Sequence, residues 1–410
     1  MNDFESTLRR TLEHAADQAP RLPGVLAGEL EKGHQRRRNR SQALLAAAAV
    51  VVVAGGVVLG SRVGGDQGPS PAATPSSVPS VTVTGSGATP VPVILFKGAI
   101  EDVWPQAVYK MPAKDQDGRE LRPILFIDDR TLLVRAWRSF DKTEVLYSYD
   151  LDLQKLRKIA DVTTPKGTMQ LAADFSVGDG QVAWWTMTKR AVHIWTAPLD
   201  GGEPRLAAEQ KIENGAIPPV DGFDVANGNV VFSLPQGGVF SVPLTGGAVT
   251  PVPRGDGLHL LSWPWAGSPG ATSHDKPPFT QLVNLETGQT STAVVNPGEQ
   301  LIACGVRTCI GGTKDEKTFT RLRDGSQQKE IPSGFQIPEP PSQSRFYIRN
   351  LFDDRPGLGL YDLNTGTVAD LGIREEATRG EVPVPDRITG RLMSYKIKSG
   401  MYVIDLSKIP

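Results

Sequence analysis

Between about Val91 and Pro410 the chain repeats one short pattern seven times, and this constrains its fold more than any other feature. Each copy is a β-prone strand that ends in an acidic or polar residue plus Leu, then a turn, then a second short strand. The copies are LYSYDLDLQKLRKIAD, IWTAPLDGGEPRLAAE, VFSVPLTGGAVTPVP, QLVNLETGQTSTAVV, FTRLRDGSQQKEIP, GLYDLNTGTVADLG and MYVIDLSKIP. Their anchor leucines are Leu151, Leu199, Leu244, Leu285, Leu322, Leu363 and Leu406, at intervals of 48, 45, 41, 37, 41 and 43 residues. Such a spacing is that of one four-stranded propeller blade.

Each copy reads as the hairpin between the third and fourth strands of a blade. Val239 to Leu244 is β-prone, and Gly246 and Gly247 can take the positive φ that the reversal needs. Upstream of the hairpins lie further strands, among them Thr131 to Arg135, Val182 to Trp185, Val230 to Leu234, Phe346 to Arg349 and Arg391 to Tyr395. The expected fold class is therefore all-β, a seven-bladed β-propeller, in which radial packing protects the strand edges. Six blades is the alternative, because the FTRLRDG copy is degenerate. The last copy ends at Pro410 with no fourth strand, whereas EDVWPQAVYKMP precedes the first copy without an assignment. Ala107, Val108, Tyr109, Lys110 and Met111 are thus predicted to supply the outer strand of the seventh blade and close the ring.

Ahead of the repeats, the apolar run from Ala43 to Gly60 contains no charged residue. Eighteen residues of helix span about 27 Å, close to the hydrocarbon thickness of a bilayer. Lys32, Arg36, Arg37, Arg38 and Arg40 precede it and Arg62 alone follows it closely, which predicts an N-terminus inside the cell and the bulk of the chain outside. The expected organisation is a cytoplasmic segment over 1–42, a transmembrane helix acting as a signal-anchor over 43–61, a linker over 62–92 and an extracytoplasmic propeller over 93–410. Phe4, Leu8, Leu12 and Ala15 form an apolar stripe on a short helix, read either as a docking element for a cytoplasmic partner or as an interfacial helix. The linker is rich in Pro, Ser, Thr, Gly and Ala, and it buries too little to offset the entropy of ordering it.

FESTLRRTLEHAAD, RRRNR before the apolar run, IEDVWPQAV and LRPILFIDDRTLLV stand out along the chain. With these features the chain resembles the membrane-anchored TolB-like and WD40-like propeller proteins of actinobacteria. The resemblance spans nearly the whole chain and implies fold and location, but no activity. The paired Gly-His and Trp-Asp dipeptides of true WD40 blades are absent; several copies have DL or PL instead of WD.

Chemistry-bearing motifs are few. Cys304 and Cys309 enclose four residues, a spacing suited to a disulfide across a tight reversal. The histidines beyond the apolar run, His193, His259 and His274, lie in different repeats without ligand spacing, so no metal site is expected. Asp128-Asp129 and Asp353-Asp354, with Asp174, Asp179, Asp221 and Asp224, read as residues that end strands and cap turns. No nucleophile elbow, phosphate loop or calcium loop occurs. Trp263 and Trp265, around one Pro, read either as an exposed platform for a peptide or sugar or as wedges between blades.

These readings predict no catalytic residue and no cofactor. With 44 Lys and Arg against 45 Asp and Glu, the chain lacks the basic field of a nucleic-acid binder. The expected function is a non-catalytic extracytoplasmic binding or scaffolding module tethered to the plasma membrane. Its partners would be the membrane through 43–61, an envelope protein, peptide or glycan, and a cytoplasmic partner of the N-terminal segment. The alternatives are an envelope enzyme acting on carbohydrate or peptide at the channel mouth, and a structural envelope protein.

Overall fold

In the computed structural model the described residues are 94–139, 142–211, 219–273, 275–332, 339–351, 356–374 and 390–410. All lie in the second of two units of the chain, Val81–Pro410. They form seven sheets, and the fold is a seven-bladed β-propeller. Blade 1 consists of Glu120–Phe126, Thr131–Trp137, Val145–Asp150 and Lys155–Asp161. Blade 2 is built from Thr168–Gly178, Gln181–Thr188, Ala191–Pro198 and Arg205–Lys211. Blade 3 comprises Gly222–Ala226, Asn229–Ser233, Val239–Pro243 and Thr250–Pro251. His259–Ser262, Trp265–Ser268, Gln281–Asn284 and Thr290–Thr292 form blade 4. Glu299–Cys304, Thr308–Thr313, Thr318–Leu322 and Lys329–Ile331 form blade 5.

The remaining two sheets mix the ends of the described chain. Blade 6 holds Phe346–Leu351, Gly357–Asp362 and Thr367–Arg374, and Leu95–Ala99 adds to its outer edge in parallel. Blade 7 holds Leu392–Ile397 and Gly400–Asp405, with Val108–Pro112 antiparallel on the latter. There Lys110 stands opposite Tyr402 and Met111 opposite Met401. Ala107 belongs to the single-turn helix Pro105–Ala107 just before that strand. Six blades are ruled out by the seventh sheet.

The local pattern follows from radial stacking. Middle strands are covered on both faces by neighbouring blades, so Gln181–Thr188 and Gly357–Asp362 are buried along almost their whole length rather than alternately. The outer strand Lys155–Asp161 is mostly exposed, and its sequence is correspondingly charged. One apolar cluster fills each seam. Leu133, Leu146, Val182 and Trp184 join blades 1 and 2, and Met111, Met401, Leu121 and Leu132 join blades 7 and 1. Burying each such side chain contributes about 1.5–3 kcal/mol.

The repeated Leu has a shared backbone role. Its N–H donates to the carbonyl of the residue just before the adjacent strand, as in Leu151 to Arg130 (2.9 Å), Leu199 to Gly180 (2.9 Å), Leu244 to Gly228 (2.9 Å), Leu285 to Pro264 (2.8 Å), Leu363 to Arg345 (2.9 Å) and Leu406 to Arg391 (2.9 Å). Where the residue before it is polar, that residue caps the turn. Asp150 Oδ1 accepts the N–H groups of Asp152 and Leu153, and Asn284 Oδ1 those of Glu286 and Thr287. In blade 5 the register differs by one residue from the sequence reading. The N–H that reaches back, to Arg307 at 3.1 Å, belongs to Arg323 and not to Leu322.

The membrane-anchored topology requires correction. Among the described residues the helices are Ile100–Val103, Pro105–Ala107 and Leu406–Lys408, and none is long and apolar enough to cross a membrane. A crossing helix needs about 20 residues, because each adds only about 1.5 Å. The run 43–61 itself, like the short helix within 1–42 and the linker 62–92, lies outside the described residues. The signal-anchor, the membrane as partner and the single-pass plasma-membrane location with a cytoplasmic N-terminus are accordingly withdrawn.

Candidate functional site

In blades 1 to 6 one end carries the 3–4 hairpins, and in blade 7 Val108–Pro112 takes the place of the fourth strand. At the opposite end strand 1 begins and strand 2 finishes, and no residue pattern repeats there. Two constellations occupy that second end, on blades 3, 4 and 5.

The first is a carboxylate–imidazole pair. Asp221 immediately precedes the first strand of blade 3, and His259 opens the first strand of blade 4. His259 Nδ1–H donates to Asp221 Oδ2 at 2.5 Å, and Ser233 Oγ–H donates to Asp221 Oδ1 at 2.5 Å. Both oxygens of this buried carboxylate are therefore engaged. Ser233 Oγ also accepts the Leu260 N–H at 2.9 Å, so the cluster bridges two blades. Two close approaches make it rigid. A Cβ at Gly222 would fall 2.3 Å from the Leu260 carbonyl oxygen, and one at Gly270 would fall 2.4 Å from the His259 ring. Only glycine lets those backbones come so near.

Chemically, Asp221 orients the ring and leaves Nε2 to act as a base or acceptor. Ser233 spends its hydroxyl hydrogen on the carboxylate and so braces the pair. A parallel link runs one turn away. Asp224 Oδ1 accepts from Ser176 Oγ of blade 2 (2.9 Å), and its Oδ2 accepts the Trp263 N–H of blade 4 (3.1 Å). Asp221 and Asp224 thus tie blades together instead of only capping turns.

The second constellation is a groove of about 460 Å³ on blade 5, lined by Glu299, Gln300 and Ile302 of the first strand with Gly298 before it, and by Gly312 and Thr313 of the second with Lys314 after it. Pairing along this hairpin shifts between Leu301 and Ala303, leaving Ile302 as a bulge. Bulges re-aim side chains, and Ile302 is partly exposed at the groove wall. The connection that feeds this strand exposes Val294 and Val295. Within the groove, Glu299 is neutralised by buried Arg321 at 2.6 Å, and Lys314 has no ion-pair partner among the described residues. Below it Cys304 and Cys309 face each other across the hairpin and are joined by a disulfide.

The other residues singled out in the sequence are placed as follows. Trp263 is half-buried against the cluster of Val231, Val239 and Leu260, and its Nε1–H donates to Glu286 at 3.1 Å. Trp265 is half-buried and pairs with Ser262 and Asn284. His193 approaches Thr188 and Glu209, far in sequence from His259. Asp174 accepts from Trp185 Nε1, and Asp179 accepts the Gly228 N–H. Asp128 Oδ1 caps its turn through the N–H groups of Arg130 and Thr131. Burial would raise the Asp128 carboxyl, but those bonds outweigh it and hold the group below its ordinary value. Asp353-Asp354 and His274 lie outside the described residues. Among the described residues no three His, Cys, Asp or Glu side chains converge to hold a metal ion.

Neither the Asp221–His259 pair nor the groove was legible as a site. Asp221 and His259 are 38 positions apart in unlike repeats, and the bulge at Ile302 carries no residue signal.

No family model matches the sequence, and none of the curated proteins does. The resemblance to membrane-anchored TolB-like or WD40-like proteins therefore gains no support there. Solved structures with related architecture include an oligogalacturonate lyase from Vibrio parahaemolyticus, at 11% identity and TM-score 0.42, covering 73% of this chain and 96% of that one. YCF48 from Cyanidioschyzon merolae has 8% identity and TM-score 0.41, covering 73% and 99%. A prolyl endopeptidase has 11% identity and TM-score 0.46, covering 71% and 49%. Likeness at this level carries nothing about activity.

Proposed function

We propose that this propeller is a non-catalytic binding or scaffolding module that takes its ligand at the end of the ring opposite the 3–4 hairpins. The observation that carries the reading is the blade 5 groove. It combines a bulged apolar side chain, Ile302, with polar walls and the exposed Lys314 on a disulfide-closed hairpin. Pockets that mix apolar surface with a few placed polar groups are the usual form of a ligand site. A scaffold role needs no reacting group, and the seam packing on both sides of each blade supplies the rigidity.

The test is equilibrium binding of the full chain to a mixed panel of peptides and oligosaccharides, followed by mass spectrometry of the panel. Saturable binding that Gly312→Leu removes, with the panel chemically unchanged, is the expected result. Binding that is indifferent to Gly312→Leu overturns the groove as the site.

A second reading, an enzyme acting on carbohydrate or peptide at the channel mouth, is favoured by one observation, the oriented imidazole of His259. It requires panel members to be cleaved by the native chain and left intact by His259→Gln.

A further inference from the structure

We infer that each seam of the ring is latched by a cation donating to a backbone carbonyl of the neighbouring blade, and that the residue three places before the anchor selects its source. This conformational device goes beyond the binding reading and does not depend on it.

Four seams draw the cation from the fourth strand or just after it. Arg157 of blade 1 donates through Nη2–H to the Leu199 carbonyl at 3.0 Å, and Arg205 of blade 2 to the Leu244 carbonyl at 2.9 Å. Arg254, which follows the last strand of blade 3, reaches the Leu285 carbonyl at 3.0 Å. Lys329 of blade 5 reaches the Leu363 carbonyl at 3.4 Å and Asn364 Oδ1 at 3.1 Å. The acceptor is each time the anchor of the following blade, whose N–H is already spent within its own blade. Both backbone groups of that leucine are thereby fixed, one by each side of the seam.

The other three seams are served from elsewhere. Arg323, at the anchor place of blade 5, reaches back to the Phe279, Thr280 and Ser291 carbonyls of blade 4. Arg345 of blade 6 donates to the Ile409 carbonyl of blade 7 at 3.1 Å. Arg391 of blade 7 donates to the Asp128 carbonyl of blade 1 at 2.7 Å. Among the described residues every seam therefore has its cation, and only the one between blades 4 and 5 points backwards.

The division follows a single position. Three places before the anchor stand Ser148, Thr196, Ser241 and, counting Arg323 as the anchor, Thr320; these are blades 1, 2, 3 and 5. Blades 4, 6 and 7 have Leu282, Leu360 and Val403 there, all buried. Ser148, Thr196 and Thr320 pair directly with Arg157, Arg205 and Lys329. Residues so opposed share one sheet face, with Cβ atoms about 5 Å apart. A short hydroxyl side chain leaves room for the long stem to cross that face toward the next blade, whereas Leu or Val fills it. Opposite Leu282, Leu360 and Val403 stand Ser291, Ala369 and Tyr109, none of them a cation. In blade 3 Ser241 pairs with Thr250, and the cation comes four residues later. Thr196 also joins the latch, since its Oγ1–H donates to the same Leu244 carbonyl at 3.1 Å.

Urea unfolding of the full chain, with hydrogen exchange read at peptides flanking each seam, tests the device. Arg205→Met should lower the folding constant about tenfold and speed exchange where blades 2 and 3 meet. Arg205→Lys keeps a donor, as Lys329 does, and should retain most of the protection. Thr196→Leu should displace the guanidinium, so that adding Arg205→Met to it changes little more. Strictly additive effects of Thr196→Leu and Arg205→Met overturn the selecting role of that position. For the latches of the second kind, Arg391→Met should speed exchange between blades 7 and 1. Arg130→Met, whose guanidinium meets only Asp152 of its own blade, should leave every seam unchanged. Exchange that is unaltered in both Arg205→Met and Arg391→Met, or equally fast in Arg130→Met, overturns the latch itself.

Discussion

Arg323 Nη1–H donates to the Phe279 carbonyl oxygen at 2.8 Å, from a position where the other six copies of the repeat place leucine. The same guanidinium also reaches the carbonyls of Thr280, Ser291 and Gly305 and the Ser291 hydroxyl. It is buried, and no carboxylate faces it among these partners. Desolvation pushes its pKa down to about 10, so at neutral pH it remains charged and held by neutral oxygens alone. In the seam between blades 4 and 5 a single guanidinium thus satisfies the carbonyl groups, and the apolar part is the small cluster around Leu301, Phe319 and the disulfide.

Arg323→Leu should not behave as a restoration of the repeat. It strands several buried carbonyl groups that the guanidinium now satisfies, each costing about 1–3 kcal/mol when unmet. A net loss of roughly 3 kcal/mol is expected in urea unfolding. An unchanged midpoint would show that the seam repacks as the leucine seams do.

Asp362 receives both arms of Arg345, from Nε at 2.8 Å and from Nη2 at 2.7 Å, and Arg345 also donates to the Ile409 carbonyl of blade 7. Burial would raise the Asp362 carboxyl, but the bonds from Arg345, Thr365 and the Asn364 N–H together hold it below its ordinary 3.8. A carboxyl depressed in the folded state stabilises the protein above the unfolded value, and that contribution is lost as pH falls through the folded one. Asp362→Asn should therefore cost about 3 kcal/mol at neutral pH, with the difference from native shrinking as pH is lowered below about 4. Thermal melts across that range measure it; a pH-independent difference would be inconsistent with the linkage.

Removing Asp221 takes the acceptor from both His259 and Ser233. Asp221→Ala is expected to destabilise by about 2 kcal/mol. In a double-mutant cycle with Ser233→Ala the two effects should couple by about 1 kcal/mol, because they share one buried network. Strict additivity would mean that the two contacts are independent.

The Cys304–Cys309 disulfide closes a short loop, so its removal in a Cys304→Ser, Cys309→Ser double variant should cost only about 2 kcal/mol. Chemical denaturation under oxidising conditions gives the value. A loss near that of a core deletion would assign the bridge a larger part in the 4–5 seam.

Met111 is buried where blade 7 meets blade 1, among Leu392, Met401, Leu121 and Leu132. Met111→Ala should cost about 2–5 kcal/mol, as for a core methionine, in the same unfolding assay. A cost near zero would show that Val108–Pro112 is dispensable for ring stability.

The propeller was readable from the chain because its defining device is local. The Leu bonds back to the neighbouring strand start in six copies, and in four of these the residue before it, Asp150, Asn284, Asp362 or Asp405, is polar and caps the turn. Blade 5 is the exception: FTRLRDG looks like a Leu copy, yet packing selected Arg323, one residue later, for the buried position. Asp221, Ser233 and His259 contribute nothing periodic, since each is brought to the others only when blades 3 and 4 meet.

By itself, then, the order of residues determined how many blades form and where each 3–4 hairpin turns, since capping and strand propensity act over short stretches. Only the closed ring decided which side chains meet at the other end and which copy of the repeat buries an arginine in place of leucine. Those outcomes depend on contacts between blades, and their energies depend on burial that exists only after the blades have stacked.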